Sequence, residues 1–241
     1  MDLNWEADWD LRQRLLRLRM IGVEGCLIFL KLSTKQERWY VEVFCSLLQA
    51  LVVSYKDLES GFSEKRLTRT AWAARCLFEL NVWARWVILS EHNAKRFRGD
   101  TVVDANHLFT QFIAMLEKYN VPPFDPVREK LEQLSGQIEK QKQEVGLAET
   151  DKFLKPSKCA EELGIQEFYP MNSFLSKFVH VTGLSLFAGS SANEETLCKV
   201  MLIIGVGYCN DAVDRIGAKL QELGLPSPPK KPDADREDRL A

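Results

Sequence analysis

The sequence predicts an all-α fold: a helical bundle of about six to eight helices with a projecting helical arm and a disordered C-terminal tail. Three observations carry that prediction. Apolar residues recur at three- and four-residue intervals along most of the chain, the period of a helix with one buried face. Glycine (13) and proline (9) are scarce for 241 residues, whereas an all-β chain needs a turn roughly every eight to twelve residues. Hydrophobic residues make up 46% and charged residues 27%, so there is enough apolar surface for a large core.

Each element follows from the same pattern. From Trp5 to Leu32, the apolar Trp5, Trp9, Leu11, Leu15, Leu16, Leu18 and Cys26 are interleaved with Arg12, Arg14, Arg17 and Arg19, an amphipathic helix. Lys35 to Leu58 repeats the pattern through Trp39, Val43, Leu47, Ala50 and Ser54, and Ser60-Gly61 predicts its end. A third helix is expected from about Glu64 to Leu89, continuing past a kink near His92 to Phe97. Arg98-Gly99-Asp100 predicts a break, and Val102 to Tyr119 a fourth helix that Val121-Pro122-Pro123 stops.

Asp125-Pro126 reads as an N-cap followed by proline at the first helical position, opening the arm at 125–146. Val127, Leu131, Leu134, Ile138, Gln141 and Val145 follow heptad spacing there. Little more than two heptads cannot make an independent coiled coil, so the 127–145 stripe should fold back on the bundle, pair with a second copy or hold a protein partner. A short helix near Lys158 to Leu163 and a longer one from Pro170 to Val181 come next, then a polar loop at 183–192. Asn193, as an N-cap with Glu194 and Glu195 behind it, opens a last helix to Leu223. The chain is thus expected to be one helical domain, 1–225, with a tail at 226–241 whose four prolines and mixed charge predict disorder.

Composition also excludes chemistries. A net charge of −2 provides no global field for non-specific nucleic-acid binding, although a local basic patch would still serve. The six cysteines have no C-x-x-C spacing and mostly fall in apolar helical runs, which points to reduced thiols packed as small hydrophobes. Asp2, Glu6 and Asp8 give the wrong charge for a signal peptide, and the apolar runs are short or interrupted by Arg, Glu or Asn. A cytoplasmic protein without a membrane partner is therefore expected. Gly205-Val-Gly207 has no strand before it and is not a phosphate loop; Asp211 and Asp214 read as a solvated face. No metal site and no cofactor is expected.

Two clusters are candidates for chemistry. Between Ala71 and Leu89 only Arg75, Glu79, Asn81 and Arg85 are strongly polar, so this helix should be central, covered on both faces. Arg75 and Glu79, four apart, form an ion pair amid Trp72, Cys76, Trp83 and Trp86, either tying helices together or lining a polar pocket. In the second cluster Ser173, Ser176 or Lys177, and His180 share one helix face, while Phe174, Phe178 and Val181 point the other way. Imidazole titrates near neutrality, so His180 is a candidate general acid or base, or else a core or capping histidine.

The run Arg75-Cys76-Leu77-Phe78-Glu79-Leu80, followed by Tyr169 and Ser176-Lys177-Phe178-Val179-His180, resembles a bacterial helical domain family of uncharacterised function. That family pairs an R-x-L-x-E-L helix with a later S-x-x-V-H helix, and the similarity covers roughly residues 47–220. More distantly it resembles HEPN proteins, helical bundles many of which are metal-independent ribonucleases marked by arginine, four to six residues, then histidine. The resemblance implies a catalytic set of His180, Arg75, Glu79 and Ser176, substrate contacts from Lys177, Arg85 and His92, and RNA or a nucleotide as ligand. It also implies a role in bacterial stress or phage defence. No arginine precedes His180 within seven positions, so Arg75 would replace it only if the two helices pack together. Arg85 and His92 match the spacing formally and would share a helix face. The alternative is a non-enzymatic helical interaction or regulatory subunit.

Overall fold

The computed structural model describes residues 5–33, 39–119, 125–145, 154–180 and 191–230. Among these residues the chain forms eight α-helices and no strand. They are α1 (Trp5–Ser33), α2 (Trp39–Ser63), α3 (Leu67–Val87), α4 (Glu91–Lys118), α5 (Asp125–Val145), α6 (Pro156–Glu162), α7 (Phe168–Val179) and α8 (Ser191–Glu222).

α3 is the central helix, packed against α2, α4, α6, α7 and α8. Buried Ala71, Ala73, Ala74 and Ala84 keep it narrow enough for neighbours on several sides, while Leu77, Phe78 and Trp86 fill the gaps. α8 approaches α2 and α3 tightly at Gly205, where a Cβ would lie 2.7 Å from the Leu58 side chain and 3.3 Å from that of Leu77. The Gly205-Val-Gly207 run is therefore a helix crossing. α8 is apolar and long enough by composition to span a membrane; Met201, Leu202, Ala212, Val213, Ile216 and Leu220 are buried in the bundle, whereas Ile203 is 48% exposed.

Several expected boundaries move, for identifiable reasons. α2 runs through Gly61 to Ser63; a Cβ at Gly61 would come within 2.9 Å of the Thr70 backbone nitrogen, so this glycine marks the close approach of α3. The turn is made by Lys65 at φ 54°, in the left-handed region. α3 does not continue to Phe97: it ends at Val87, and 91–97 open a new helix, α4, which Ser90 caps by accepting from the Asn93 N–H at 3.1 Å. The Asn93 side chain in turn donates to the Trp86 carbonyl at 3.0 Å, locking the corner from both sides. The break expected at Arg98-Gly99-Asp100 is absent. α4 passes straight through it, Gly99 is buried, and Asp100 accepts the Leu154 N–H at 2.6 Å. Asn193 lies inside the first turn of α8, two residues past its start at Ser191.

α4 leaves the bundle beyond Asp104 and α5 packs along it, so the arm is a helical hairpin. On α5, Leu131 is half-buried and Leu134 is 40% exposed; the Val127 and Ile138 side chains lie outside the described residues. The proline-rich start of the tail is bound to the bundle. The Pro226 and Pro229 carbonyls accept from the Cys26 thiol and Arg19 Nε, at 3.4 and 3.2 Å, and the Pro229 ring occupies the space a Cβ at Gly22 would need. Residues 231–241 of the expected tail and most of the 183–192 loop lie outside the described residues.

Candidate functional site

The site is built where α7 docks on α3. Phe168, Leu175 and Phe178 of α7 are buried, and the Phe168 ring stacks on Phe78 at a centroid distance of 5.4 Å. This contact fixes the phase of α7, and with it the polar stripe Asn172, Ser176 and His180. α7 ends at Val179, and the His180 N–H closes the helix on the Ser176 carbonyl at 3.2 Å. The imidazole is thereby set at a helix end with an exposed ring.

On α3, Arg75 Nε donates to Glu79 Oε1 at 3.0 Å, with the side chains 26% and 29% exposed. Arg75 Nη1 lies 3.4 Å from His180 Nε2. Residues of α3 and of the end of α7, more than a hundred positions apart in sequence, thus bring a guanidinium, a carboxylate and an imidazole into one solvent-reachable cluster. A guanidinium has no acceptor, so this contact is a hydrogen bond only when Nε2 carries its lone pair. Nη2 of Arg75 makes no hydrogen bond among the described residues, leaving a fork edge suited to an anion.

The other predicted residues divide. Ser176 lies within the cluster, but its hydroxyl donates to the Asn172 carbonyl at 2.6 Å, a bond within its own helix that engages the proton a nucleophile would surrender. Lys177 is exposed on α7 next to this stripe. Asn172 Oδ1 is buried and has no hydrogen-bond partner among the described residues, an acceptor on the stripe that sequence reasoning missed. Burial pushes the half-buried Cys76 thiol up to about 11, with Glu79 adding to the shift, so this cysteine stays protonated near neutral pH.

Arg85 and His92 do not belong to this cluster as a pair. The α3–α4 corner at 88–90 separates them, so the expected shared helix face does not exist; Arg85 instead neighbours Tyr208 and Asp211 of α8. Asp211 and Asp214 do reach solvent, with side chains 41% and 48% exposed, but both are engaged by partners. Asp211 accepts from Asn81 at 2.7 Å and Arg215 at 2.8 Å, and Asp214 pairs with Arg19, whose side chain is only 3% exposed. Arg19 also binds Asn210 and the Pro229 carbonyl. Sequence reasoning missed this buried arginine, although its helical phase, shared with Leu16, Met20 and Val23, marks it as inward-facing.

Among the described residues no group of three or more His, Cys, Asp or Glu side chains is placed to hold a metal ion. No protein-family model, curated protein or solved structure matches the chain.

Proposed function

We propose that the chain is a HEPN-like helical protein that binds RNA or a nucleotide at the Arg75–Glu79–His180 cluster and cleaves RNA without a metal ion, in bacterial stress or phage defence. The observation that supports this reading is the 3.4 Å approach of Arg75 to His180, which supplies from a separate helix the arginine missing before the histidine. In the mechanism it suggests, His180 accepts the ribose 2′-hydroxyl proton as that oxygen attacks phosphorus. The 5′-oxygen leaves with a proton returned by the imidazolium or by water, giving a 2′,3′-cyclic phosphate and a 5′-hydroxyl. Arg75 Nη2 holds the non-bridging oxygens as charge builds on them, and Glu79 fixes the guanidinium plane.

The test is incubation of the intact protein with single-stranded RNA in excess chelator, reading cyclic-phosphate ends. Product lost in His180→Ala supports the reading; absence of both cleavage and RNA binding by the unaltered protein overturns it.

A second reading, a non-enzymatic interaction or regulatory subunit, is favoured by the apolar face that α4 presents on the arm. Leu108, Phe112, Met115 and Tyr119 are 41–66% exposed there. The near-neutral charge also weighs in its favour, since RNA affinity rests on a basic field.

A further inference from the structure

α1 is apolar on two opposite faces. Its inner face, with Leu16, Val23, Leu27 and Leu30, is buried in the core. One flank is tied to α2 by the pairs Arg17–Glu59 and Glu24–Lys56, and the other is occupied by the proline strap at Arg19, Gly22 and Cys26. The outward face remains. Leu18, Ile21, Ile28 and Phe29 project from it at 65, 63, 60 and 65% exposure, within an arc of roughly 100°. A helix apolar on both sides is one that is covered on both sides.

The pattern of that face indicates what covers it. Leu18, Ile21, Gly25 and Ile28 are spaced three, four and three residues apart, the a/d seam of a helix pair. This spacing reads the same in both directions. A two-fold axis between positions 21 and 25 sets Leu18 of one copy on Ile28 of the other, and Ile21 over Gly25. At Gly25 nothing lies within 4 Å of where a Cβ would stand, so the glycine is an open notch of the right size beneath an isoleucine. Leu18, Ile21 and Ile28 thus each find a complement on the same surface, as an isologous contact requires, and Phe29 flanks the seam. Four side chains this exposed carry on the order of 100 Å² each. Two copies then bury about 800 Å² from these side chains alone and about 1,000 Å² with the residues beside them, the floor for a specific interface.

We propose that the outward face of α1 is a homodimer interface in which two copies pair antiparallel across Ile21 and Gly25. This inference is independent of the nucleic-acid reading and places self-association on α1, not on the 127–145 arm.

Sedimentation velocity of the full chain from about 1 µM to 0.1 mM tests it, with Ile21→Arg and Gly25→Leu alongside. Both positions face solvent, so both variants should fold, and thermal melts verify this; Ile28→Ser replaces either one that melts early. The expected result is a concentration-dependent dimer whose dissociation constant rises at least about tenfold in each variant. Gly25→Leu is the discriminating change, because it fills the notch while enlarging the apolar face. Tighter or unchanged association in Gly25→Leu, or an unaltered chain that stays monomeric throughout, overturns the proposal. Flotation with anionic phospholipid vesicles should leave the protein unbound; vesicle binding that Gly25→Leu strengthens would make the face a membrane contact instead. A dimer abolished by changing Leu131 and Leu134 to serine would move the interface to the arm and overturn it equally.

Discussion

Arg75 Nη1 and His180 Nε2 approach to 3.4 Å across 105 residues of sequence, and Glu79 holds the same guanidinium from the other side. His180 is exposed at the end of α7, so its removal should be nearly silent for folding. His180→Ala is expected to shift stability by no more than about 0.5 kcal/mol while lowering RNA cleavage roughly 10²- to 10⁴-fold. A variant that unfolds, or one that cleaves normally, returns the histidine to a capping role.

Glu79 separates positioning from stability. A fully buried partner would leave Arg75 stranded at a cost of several kcal/mol, but both side chains retain about a quarter of their exposure, and water can replace the carboxylate. Glu79→Ala should therefore cost about 1 kcal/mol or less in urea unfolding, yet weaken RNA binding several-fold, with Glu79→Gln recovering most of it through the remaining hydrogen bond. A loss above about 3 kcal/mol would show that the pair holds the helices together instead.

The helices with strong periodicity and a solvent face were readable from their pattern: α1 and α2 begin or end within a few positions of the expected bounds, and α5 opens at its Asp125-Pro126 signal. What could not be read is tertiary. Gly61 and Gly99 look like helix ends in one dimension, but α2 and α4 run through both of them, Gly61 against the approaching α3. The α3–α4 corner carries neither glycine nor proline, only a serine that accepts the Asn93 N–H and an asparagine whose side chain donates to the Trp86 carbonyl, bonds that exist once the corner is formed. The sequence placed Arg75 and His180 on helices separately; their meeting depends on Phe168 finding Phe78. Arg19 was hidden among four arginines of one helix, distinguished only by its phase.

The strap offers a test of packing at α1. Arg19 is buried, and its guanidinium joins Asn210, Asp214 and the Pro229 carbonyl. Arg19→Met keeps the aliphatic stem but leaves these acceptors without their donor, a loss of about 2–4 kcal/mol, or a melting temperature roughly 5–12 °C lower. Gly22→Ala acts on the same contact sterically, since its Cβ would fall 2.5 Å from the Pro229 ring. It should speed tryptic cleavage after Lys230 while leaving the core helices as protected as before. Unchanged cleavage would mean that α1 yields instead of the strap.

Asp211 should give the protein an acid-sensitive increment of stability. Burial alone would raise its carboxyl, but hydrogen bonds from Arg215 and Asn81, with the charges of Arg215 and Arg85, outweigh burial and hold it below the ordinary aspartate value. The folded value therefore lies below the unfolded one, near 3.9, and between the two the unfolded chain binds more protons. Stability rises with pH through that window: the contribution is complete above about pH 5 and is lost as the pH falls below 4 toward the folded value. Asp211→Asn removes the titrating group while keeping an acceptor for Arg215. With Asp211 and Arg215 41% and 40% exposed, solvent screens the pair, so urea unfolding at neutral pH should show the variant weaker by about 0.5–1 kcal/mol, with the gap narrowing markedly by pH 3. A gap that stays constant from pH 7 to 3 would mean that the ionised carboxylate adds nothing beyond its shape, and that Asn81 is anchored chiefly by the Tyr208 carbonyl it also donates to at 3.1 Å.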